Sequence, residues 1–366
     1  MAVAGVILES NPLHEGHKYL LKAIRSEGFS VVAAMSGSFV QRGEPAVFSK
    51  KARTKALLQS GADLVLELPV RGVLSGAQGF ARSGVGLFEA AGVVDCLFFG
   101  SECGKIDSLW QASELLHSQA CEEAIRGFMQ EGNSYPAACE RALSRVGGDG
   151  ALLRTPNNIL GVEYLSELRR LGSSMQARTV ARIPARSASD WRKALQSGEE
   201  EALRIYSCEP TQGPVFPEDL ARAILARLRR MTAEDFQGLP DVNEGLENRI
   251  AAAISQAASL EEAIEAIQTR RYPLARIRRI LLRAYLGIRE PAGAPEAIRI
   301  LGLRKEAAPL CRLLREKSLL PVVQNPAVDA DLPEIREQIA AQDIWAAFSP
   351  QPLPPGVDYR EFPVVL

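Results

Sequence analysis

Val3-Ala4-Gly5-Val6-Ile7-Leu8-Glu9-Ser10-Asn11-Pro12-Leu13-His14-Glu15-Gly16-His17-Lys18-Tyr19-Leu20 decides the fold. Val3 to Leu8 is a short apolar run and reads as a buried strand. His17 to Arg25 reads as a helix, with Gly28 near its C-terminal stop. Between them Pro12 takes the chain out of the strand. Gly16 has no side chain, so a phosphate can approach the backbone closely. The helix N-terminus adds free N–H donors and a partial positive charge. His14 and His17 are three apart, so in a first helical turn they share a face. Imidazoles placed there can hydrogen-bond phosphate oxygens and stabilise charge that develops as pyrophosphate leaves. Lys18 and Lys22 add positive charge. Two surface histidines in an ordinary strand–helix turn would show the same spacing. The position after the first strand, in a chain with only three histidines, favours the phosphate site.

The same alternation continues outward. Ser30 to Met35 is a second apolar run. Ser49 is placed to cap a helix through Gln59, with Gly61 punctuating its end. Ala62 to Leu68 is a third strand, stopped by Pro69, and Val93 to Phe99 is a fourth. Strands alternating with helices of this length predict a parallel sheet with right-handed crossovers. Beyond Gly100 the sequence turns helical, over Asp107 to Glu131 and Asn158 to Leu171, with one more strand over Ala177 to Ile183. Ser207 to Pro217, rich in Pro and Gly, reads as a linker. The remainder is Ala/Leu/Arg/Glu-rich helix-forming material. Its Pro-rich tail from Pro321 is hard to assign.

At 366 residues the chain is long for one core, and two domains are expected, 1–206 and 207–366. A formal net charge of -1 means that any nucleic-acid site must be a local basic patch. The six cysteines include no CxxC pair, and His117 is the only histidine outside the first motif, so no metal site is expected. The first apolar run is interrupted at Glu9, and no stretch is long and apolar enough to span a membrane. A cytoplasmic protein with free thiols is the expectation.

The turn Asn11-Pro12-Leu13-His14-Glu15-Gly16-His17 resembles the HxGH signature of the nucleotidyltransferase superfamily, in which two histidines bind the triphosphate. Other blocks narrow the resemblance. They are Met35-Ser36-Gly37-Ser38-Phe39-Val40-Gln41-Arg42-Gly43-Glu44-Pro45-Ala46, Gly61-Ala62-Asp63-Leu64-Val65-Leu66-Glu67-Leu68-Pro69, Phe99-Gly100-Ser101-Glu102 and Thr155-Pro156-Asn157-Asn158-Ile159-Leu160-Gly161. Later come Glu244-Gly245-Leu246-Glu247-Asn248-Arg249 and Arg299-Ile300-Leu301-Gly302. In order and spacing, as far as about Gly302, these resemble the bacterial tRNA(Met) cytidine acetate ligases. The resemblance implies an α/β fold, with a Rossmann-like parallel-sheet nucleotidyltransferase domain followed by an α-helical domain.

It also implies a set of site residues. ATP would lie against Ile7, Leu8, Glu9, Ser10, Asn11, Pro12, Leu13, His14, Glu15, Gly16, His17, Lys18, Tyr19 and Leu20, with Gly100, Arg182 and Ile183. Asn157 or Asn158 would read a nucleotide edge, unless it only caps a helix. Ser187-Ala188-Ser189-Asp190-Trp191-Arg192-Lys193 is similar to a serine-rich family motif, so Ser187, Ser189 and Arg192 would hold the outer phosphates. His14, His17, Lys18 and Arg192 would be catalytic. Ser36, Gln41 and Arg42 would form the acetate or acceptor pocket, although Arg42 could equally pair with Glu44. The chain departs from the family in a shortened loop between Arg182 and Ser187, where relatives carry a longer one with tyrosine, histidine and acidic residues and only Ile183-Pro184-Ala185-Arg186 remain here. It departs also at Gln78, where an aspartate is common.

Arg270, Arg271, Arg276, Arg278, Arg279 and Arg283 fall in one short window without an acid. Arg276, Arg279 and Arg283 share a face away from Ile277 and Leu281. With the resemblance this stripe is expected to contact tRNA phosphates. The alternative is a solvated face paired with acids such as Glu261, Glu262 and Glu265. The expected reaction joins acetate to ATP as acetyl-adenylate, with Mg2+ accompanying the nucleotide. The acetyl group then passes to the wobble cytidine of elongator tRNA(Met), giving N4-acetylcytidine. Two other readings stay open: an adenylate-forming ligase or adenylyltransferase with a small-molecule acceptor, and a non-catalytic RNA-binding protein that keeps a nucleotide pocket. The oligomeric state is not readable from the sequence.

Overall fold

The structure, a computed structural model, describes residues 1–199, 214–243, 245–329 and 331–366. The strands are β1 (Val3–Leu8), β2 (Ser30–Ser36), β3 (Phe39–Val40), β4 (Glu44–Pro45), β5 (Leu64–Leu68), β6 (Cys96–Ser101), β7 (Gln176–Ala181), β8 (Ile298–Leu303), β9 (Val322–Val323) and β10 (Val364–Val365). The main sheet runs β10-β8-β5-β2-β1-β6-β7, with β9 on β8, while β3 and β4 form a separate hairpin. Every pairing in the main sheet is parallel except β5 with β8.

Both faces of the sheet are covered, which is why β1, β2 and β5 are buried almost throughout and predominantly apolar rather than alternating. The helices of the first half are α1 (Glu15–Ser26), α2 (Lys50–Gln59), α3 (Val70–Val73), α4 (Ala77–Ala91), α5 (Ile106–Leu116), α6 (Gln119–Gln130), α7 (Tyr135–Arg145), α8 (Pro156–Leu171) and α9 (Ala188–Gln196). Ala4, Val6 and Leu8 of β1 join Leu21 and Ile24 of α1, Leu57 and Leu58 of α2, and Trp191 and Leu195 of α9 in one core. Val3 and Ile7 point to the other face, where α4, α5 and α8 bury Val85, Phe88, Leu109 and Leu165. Strand order reverses direction at β1, between β2 and β6. The carboxyl ends of β1 and β6 therefore flank the switch point, where an open α/β sheet leaves a crevice for ligands.

A second core is helical. It is built by α10 (Pro217–Leu228), α11 (Ala233–Phe236), α12 (Leu246–Gln256), α13 (Leu260–Ile267) and α14 (Leu274–Leu286). Phe39, Val70 and Leu74 from the first half enter this core. After it come α15 (Ala308–Lys317), α16 (Pro333–Ala347) and α17 (Val357–Arg360), and Trp345 of α16 is buried with the helical core.

Two features differ from the sequence expectation. The helix expected over Asp107 to Glu131 is broken, because Ser118 accepts from the Cys121 N–H and starts α6 afresh. The second half is not helical throughout either. Ile298–Leu303 returns to the sheet and pairs along β5, and Val364–Val365 adds beyond it, so strands from the second half complete the sheet of the first. The expected boundary at 206 and most of the Ser207–Pro217 linker lie outside the described residues.

The returning segment closes a buried cluster of charges. Lys50 Nζ lies 3.1 Å from Glu67 Oε1 and 2.8 Å from Asp358 Oδ2. Arg299 Nη1 lies 3.0 Å from Glu67 Oε2 and 2.8 Å from Asp358 Oδ2. None of the four side chains is more than 6% exposed. Two cations face two anions, so the net charge is zero and each group keeps a partner, the condition under which buried charges are tolerated. Gly37 must be glycine beside this cluster, since a Cβ there would stand 2.3 Å from Glu67 Oε1.

Candidate functional site

The site is assembled at the carboxyl end of β1. Ile7 and Leu8 are core residues, as is Leu13, and Leu20 is partly buried against the same core, so these four offer a ligand only main chain. The Asn11–Pro12 bond is cis, and Asn11 Oδ1 accepts from the Val47 N–H at 2.8 Å. The turn is thereby tied to the segment after the β3–β4 hairpin.

His14 is the N-cap of α1. Its Nδ1 accepts from the Gly16 N–H at 3.1 Å, and His17 Nδ1 accepts from the His14 N–H at 3.3 Å. The two rings stack with centroids 3.9 Å apart. With both Nδ1 atoms accepting, the neutral rings carry their protons on Nε2, which makes each a hydrogen-bond donor. Gly16 has a local duty that the sequence reading did not see: a Cβ there would meet His14 Cε1 at 2.9 Å. Lys18 pairs with Glu15 at 2.8 Å on the exposed side of the helix, and Tyr19 is also exposed.

Burial, reinforced by the Arg182 guanidinium, lowers the His14 pKa to about 4, and burial, His14 and Arg182 hold His17 well below the usual imidazole value. Both histidines are therefore neutral at pH 7 in the ligand-free protein. A histidine whose folded pKa is depressed binds its proton more readily when unfolded. Its stability contribution is complete above about pH 6.5 and is lost as pH falls toward 4. Ligand-free protein is expected to lose up to about 1 kcal/mol per histidine between pH 6.5 and 5.5. Thermal melts across that window check this. A His14→Gln/His17→Gln variant with the same pH slope as wild type would contradict it.

The second wall comes from α9. Ser187 caps this helix and forms a reciprocal box with Asp190. Arg192, on the same helix, donates to the Asn11 carbonyl at 2.9 Å and to Ser189 Oγ at 3.1 Å. Ser189 Oγ is also 3.4 Å from Arg42 Nη1. The short connection from Arg182 to Ser187 thus still brings Ser189 and Arg192 to the histidine turn. Ser187 is engaged by its own helix through Asp190.

The third wall is the β3–β4 hairpin. Gln41 N–H donates to Glu9 Oε1, and Ser36 Oγ is buried 3.4 Å from the Glu9 carbonyl. Burial holds the Glu9 carboxyl above the usual carboxylate range, although the Gln41 N–H and the guanidinium groups of Arg42, Arg192 and Arg53 offset part of the rise. Of the two readings of Arg42, pairing with Glu44 is not what the structure shows. Glu44 is held by Arg278 and lies 3.9 Å from Arg192, which leaves Arg42 exposed beside Ser189. Arg53 has no part in the sequence reading. It is fully buried and donates to the carbonyls of Phe48, Glu9, Ser36 and Gly37, so one guanidinium sets the shape of both loops. Nothing in its local spacing singles it out.

At the end of β6 the two asparagines separate. Asn158 Oδ1 accepts from the N–H groups of Glu102 and Cys103, while Asn157 Nδ2 donates to Glu102 Oε1 at 2.7 Å. Thr155, not an asparagine, is the N-cap of α8. Asn158 is buried and Asn157 is only half-buried, so Asn157 is the one with surface to offer a nucleotide. Arg182 follows β7 and lies 3.8 Å from Glu102, and an added Cβ on Gly100 would sit 3.7 Å from its Cγ. Ile183 is the next residue along, partly buried and well short of α9.

The arginine stripe on α14 does not present a free cationic face. Arg283 is 1% exposed and donates to the carbonyls of Leu74, Arg71 and Glu290. Arg279 donates to the Gln41 carbonyl at 3.2 Å, and Arg276 to the Asp241 carbonyl at 2.6 Å. Arg283 is therefore removed from any RNA surface. The helical period placed it correctly on a face away from Ile277, but that face meets α3 rather than solvent. Gly43, between β3 and β4 at φ +74°, lets the hairpin approach α14: a Cβ there would stand 2.6 Å from the Arg279 main-chain nitrogen.

A parallel sheet with a capped histidine pair at its switch point defines a nucleotidyltransferase of the HIGH type. The family model described as HIGH Nucleotidyl Transferase matches residues 1–354. A tRNA(Met) cytidine acetate ligase of Acetivibrio thermocellus is 36% identical over 367 residues, covering 88% of each chain. A protein of the same name from Thermoanaerobacter sp. is 34% identical over 356 residues, again covering 88% of each. Thermotoga maritima TmcAL bound with alpha-thio ATP superposes with a TM-score of 0.92 at 30% identity, over 100% of both chains. The chain belongs to the tRNA(Met) cytidine acetate ligase family.

Proposed function

We infer that this protein is an ATP-dependent ligase that activates acetate and acetylates the wobble cytidine of elongator tRNA(Met). The observation that carries the reading is the stacked His14–His17 pair, with both Nδ1 atoms occupied inside the turn and both Nε2–H donors left over. Neutral donors at a helix N-terminus suit the triphosphate of ATP, and Arg192 and Arg182 add charge from two sides. Asn157 is the asparagine assigned to the nucleotide. Arg42, free of Glu44, is assigned to the acetate carboxylate, which a guanidinium can bind bidentately. Mg2+ would enter with the nucleotide and be held by phosphate oxygens. Among the described residues no three His, Cys, Asp or Glu side chains converge on one point.

In the first step an acetate oxygen attacks the α-phosphorus, the bond to the β-phosphate oxygen breaks, and pyrophosphate leaves. The histidines and Arg192 stabilise the charge it carries away. In the second step the exocyclic amine of cytidine attacks the acetyl carbonyl, AMP leaves with the C–O bond electrons, and the amine proton is lost. Activation is required because a carboxylate is a poor acyl donor. The test is incubation with ATP, labelled acetate and total tRNA. Acetylated cytidine in digested tRNA is the expected product. ATP binding without pyrophosphate release, with or without tRNA, would instead make this a nucleotide-dependent RNA-binding protein.

A further inference from the structure

The face of α1 that leads away from the histidine turn is cationic. Lys18, Lys22 and Arg25 recur four and then three residues apart, so they line one side of the helix. With Ser26, and with Gln59 and Ser60 at the end of α2, they line an open groove of about 710 Å³. Lys18 belongs both to this groove and to the phosphate turn. Arg25 is anchored by the Gly61 carbonyl at 3.1 Å and by Asp63 at 2.9 Å, yet stays 41% exposed. Lys22 is exposed and has no carboxylate within ion-pair distance among the described residues. Against three cations stand two carboxylates, Glu15 on Lys18 and Asp63 on Arg25.

The arginines of α14 donate to carbonyls and to Glu44, whereas Lys22 has no ion-pair partner among the described residues. We propose that the groove between α1 and α2 carries the RNA backbone next to the acceptor cytidine, with Lys22 as its principal phosphate contact. The proposal rests on the reading that RNA is the acyl acceptor. For acyl transfer the attacking amine must come within about 3 to 3.5 Å of the acetyl carbonyl. That carbonyl forms at the head of α1, so the flanking nucleotides lie within a short reach of this helix. Lys18 to Arg25 spans about 10 Å of helix, room for a couple of backbone phosphates. The lining holds lysine, arginine, serine and glutamine but no aromatic ring. It therefore suits phosphates rather than stacked bases, and contacts of that kind position a strand without reading its sequence.

Binding of a tRNA(Met) transcript and of an unrelated tRNA is measured by fluorescence anisotropy at several salt concentrations, for wild type, Lys22→Gln and Lys22→Glu. Lys22→Glu is expected to weaken both RNAs on the order of tenfold at low salt, and Lys22→Gln less. The log–log salt slope should become shallower by roughly 0.7 to 0.9 for the one lost contact. The sequence reading counted Lys22 toward the charge of the phosphate turn, but in the fold it is exposed and stands more than a helical turn beyond His17, so pyrophosphate release from ATP and acetate without tRNA should not change. Unchanged RNA affinity in variants that melt like wild type overturns the proposal. Slower tRNA-independent pyrophosphate release also overturns it, since the groove would then serve the departing pyrophosphate. Anisotropy requires no acetyl transfer. A wild-type protein that binds tRNA through Lys22 but makes no acetylcytidine would refute the ligase reading and still support the groove.

Discussion

Replacing His17 by alanine is expected to lower the rate of acetate-dependent pyrophosphate release by about 10²- to 10³-fold, the usual cost of removing a donor that stabilises a leaving oxyanion. The effect should persist at saturating ATP, because it acts on charge that grows during the step rather than on ground-state binding. The structure adds a second reason for a large loss. His17 Nδ1 accepts the His14 N–H and its ring stacks on His14, so the substitution also frees the partner imidazole. Folding should survive, since His17 is only partly buried and the helix retains its own cap at His14. Turnover near wild type at saturating ATP, in a variant with a normal melting profile, would remove the histidine pair from the mechanism.

Asp358→Asn should cost about 3 to 5 kcal/mol of stability, the penalty for leaving a buried ion network one charge short. Burial alone would raise the Asp358 carboxyl, but Lys50 and Arg299 overcome this and hold it below the usual carboxylate range. A depressed carboxyl contributes stability above its unfolded value, near pH 4, and loses it as pH falls further. Chemical denaturation of the variant at neutral pH measures the cost. The effect should be much smaller at acidic pH, where the wild-type carboxyl is itself protonated. A loss below about 1 kcal/mol at pH 7 would mean that the cluster relaxes or admits water.

The N-terminal sheet was legible because its signals are local. Val3–Leu8 was read with its observed bounds, and Ser49 caps the helix that ends at Gln59 as expected. The histidine pair was legible because strand, turn and helix cap lie within a dozen residues. What escaped depends on distant partners. Ile298–Leu303 is as apolar as a helix face of the same length, and only its register on Leu64–Glu67 makes it a strand. Arg283 looked like its neighbours along α14, yet two of its acceptors, the carbonyls of Arg71 and Leu74, sit about two hundred residues earlier, in and just after α3. Arg53 carries no pattern of its own, and its part in shaping the Glu9 and Ser36 loops follows from four carbonyls that converge only in the fold.

The antiparallel return of β8 governs the order in which this chain can be completed on a ribosome. Translation supplies β1 through β7 long before residue 298 emerges, and until then β5 is an open edge with unpaired N–H and C=O groups. Lys50 and Glu67, already paired with each other, likewise wait for Arg299 and Asp358 to complete the four-charge cluster. The nucleotide half is therefore not a unit that finishes first and is then decorated. A fragment ending near residue 206 would expose that edge permanently, and the last fifth of the chain supplies the closing strand of a sheet begun at its third residue.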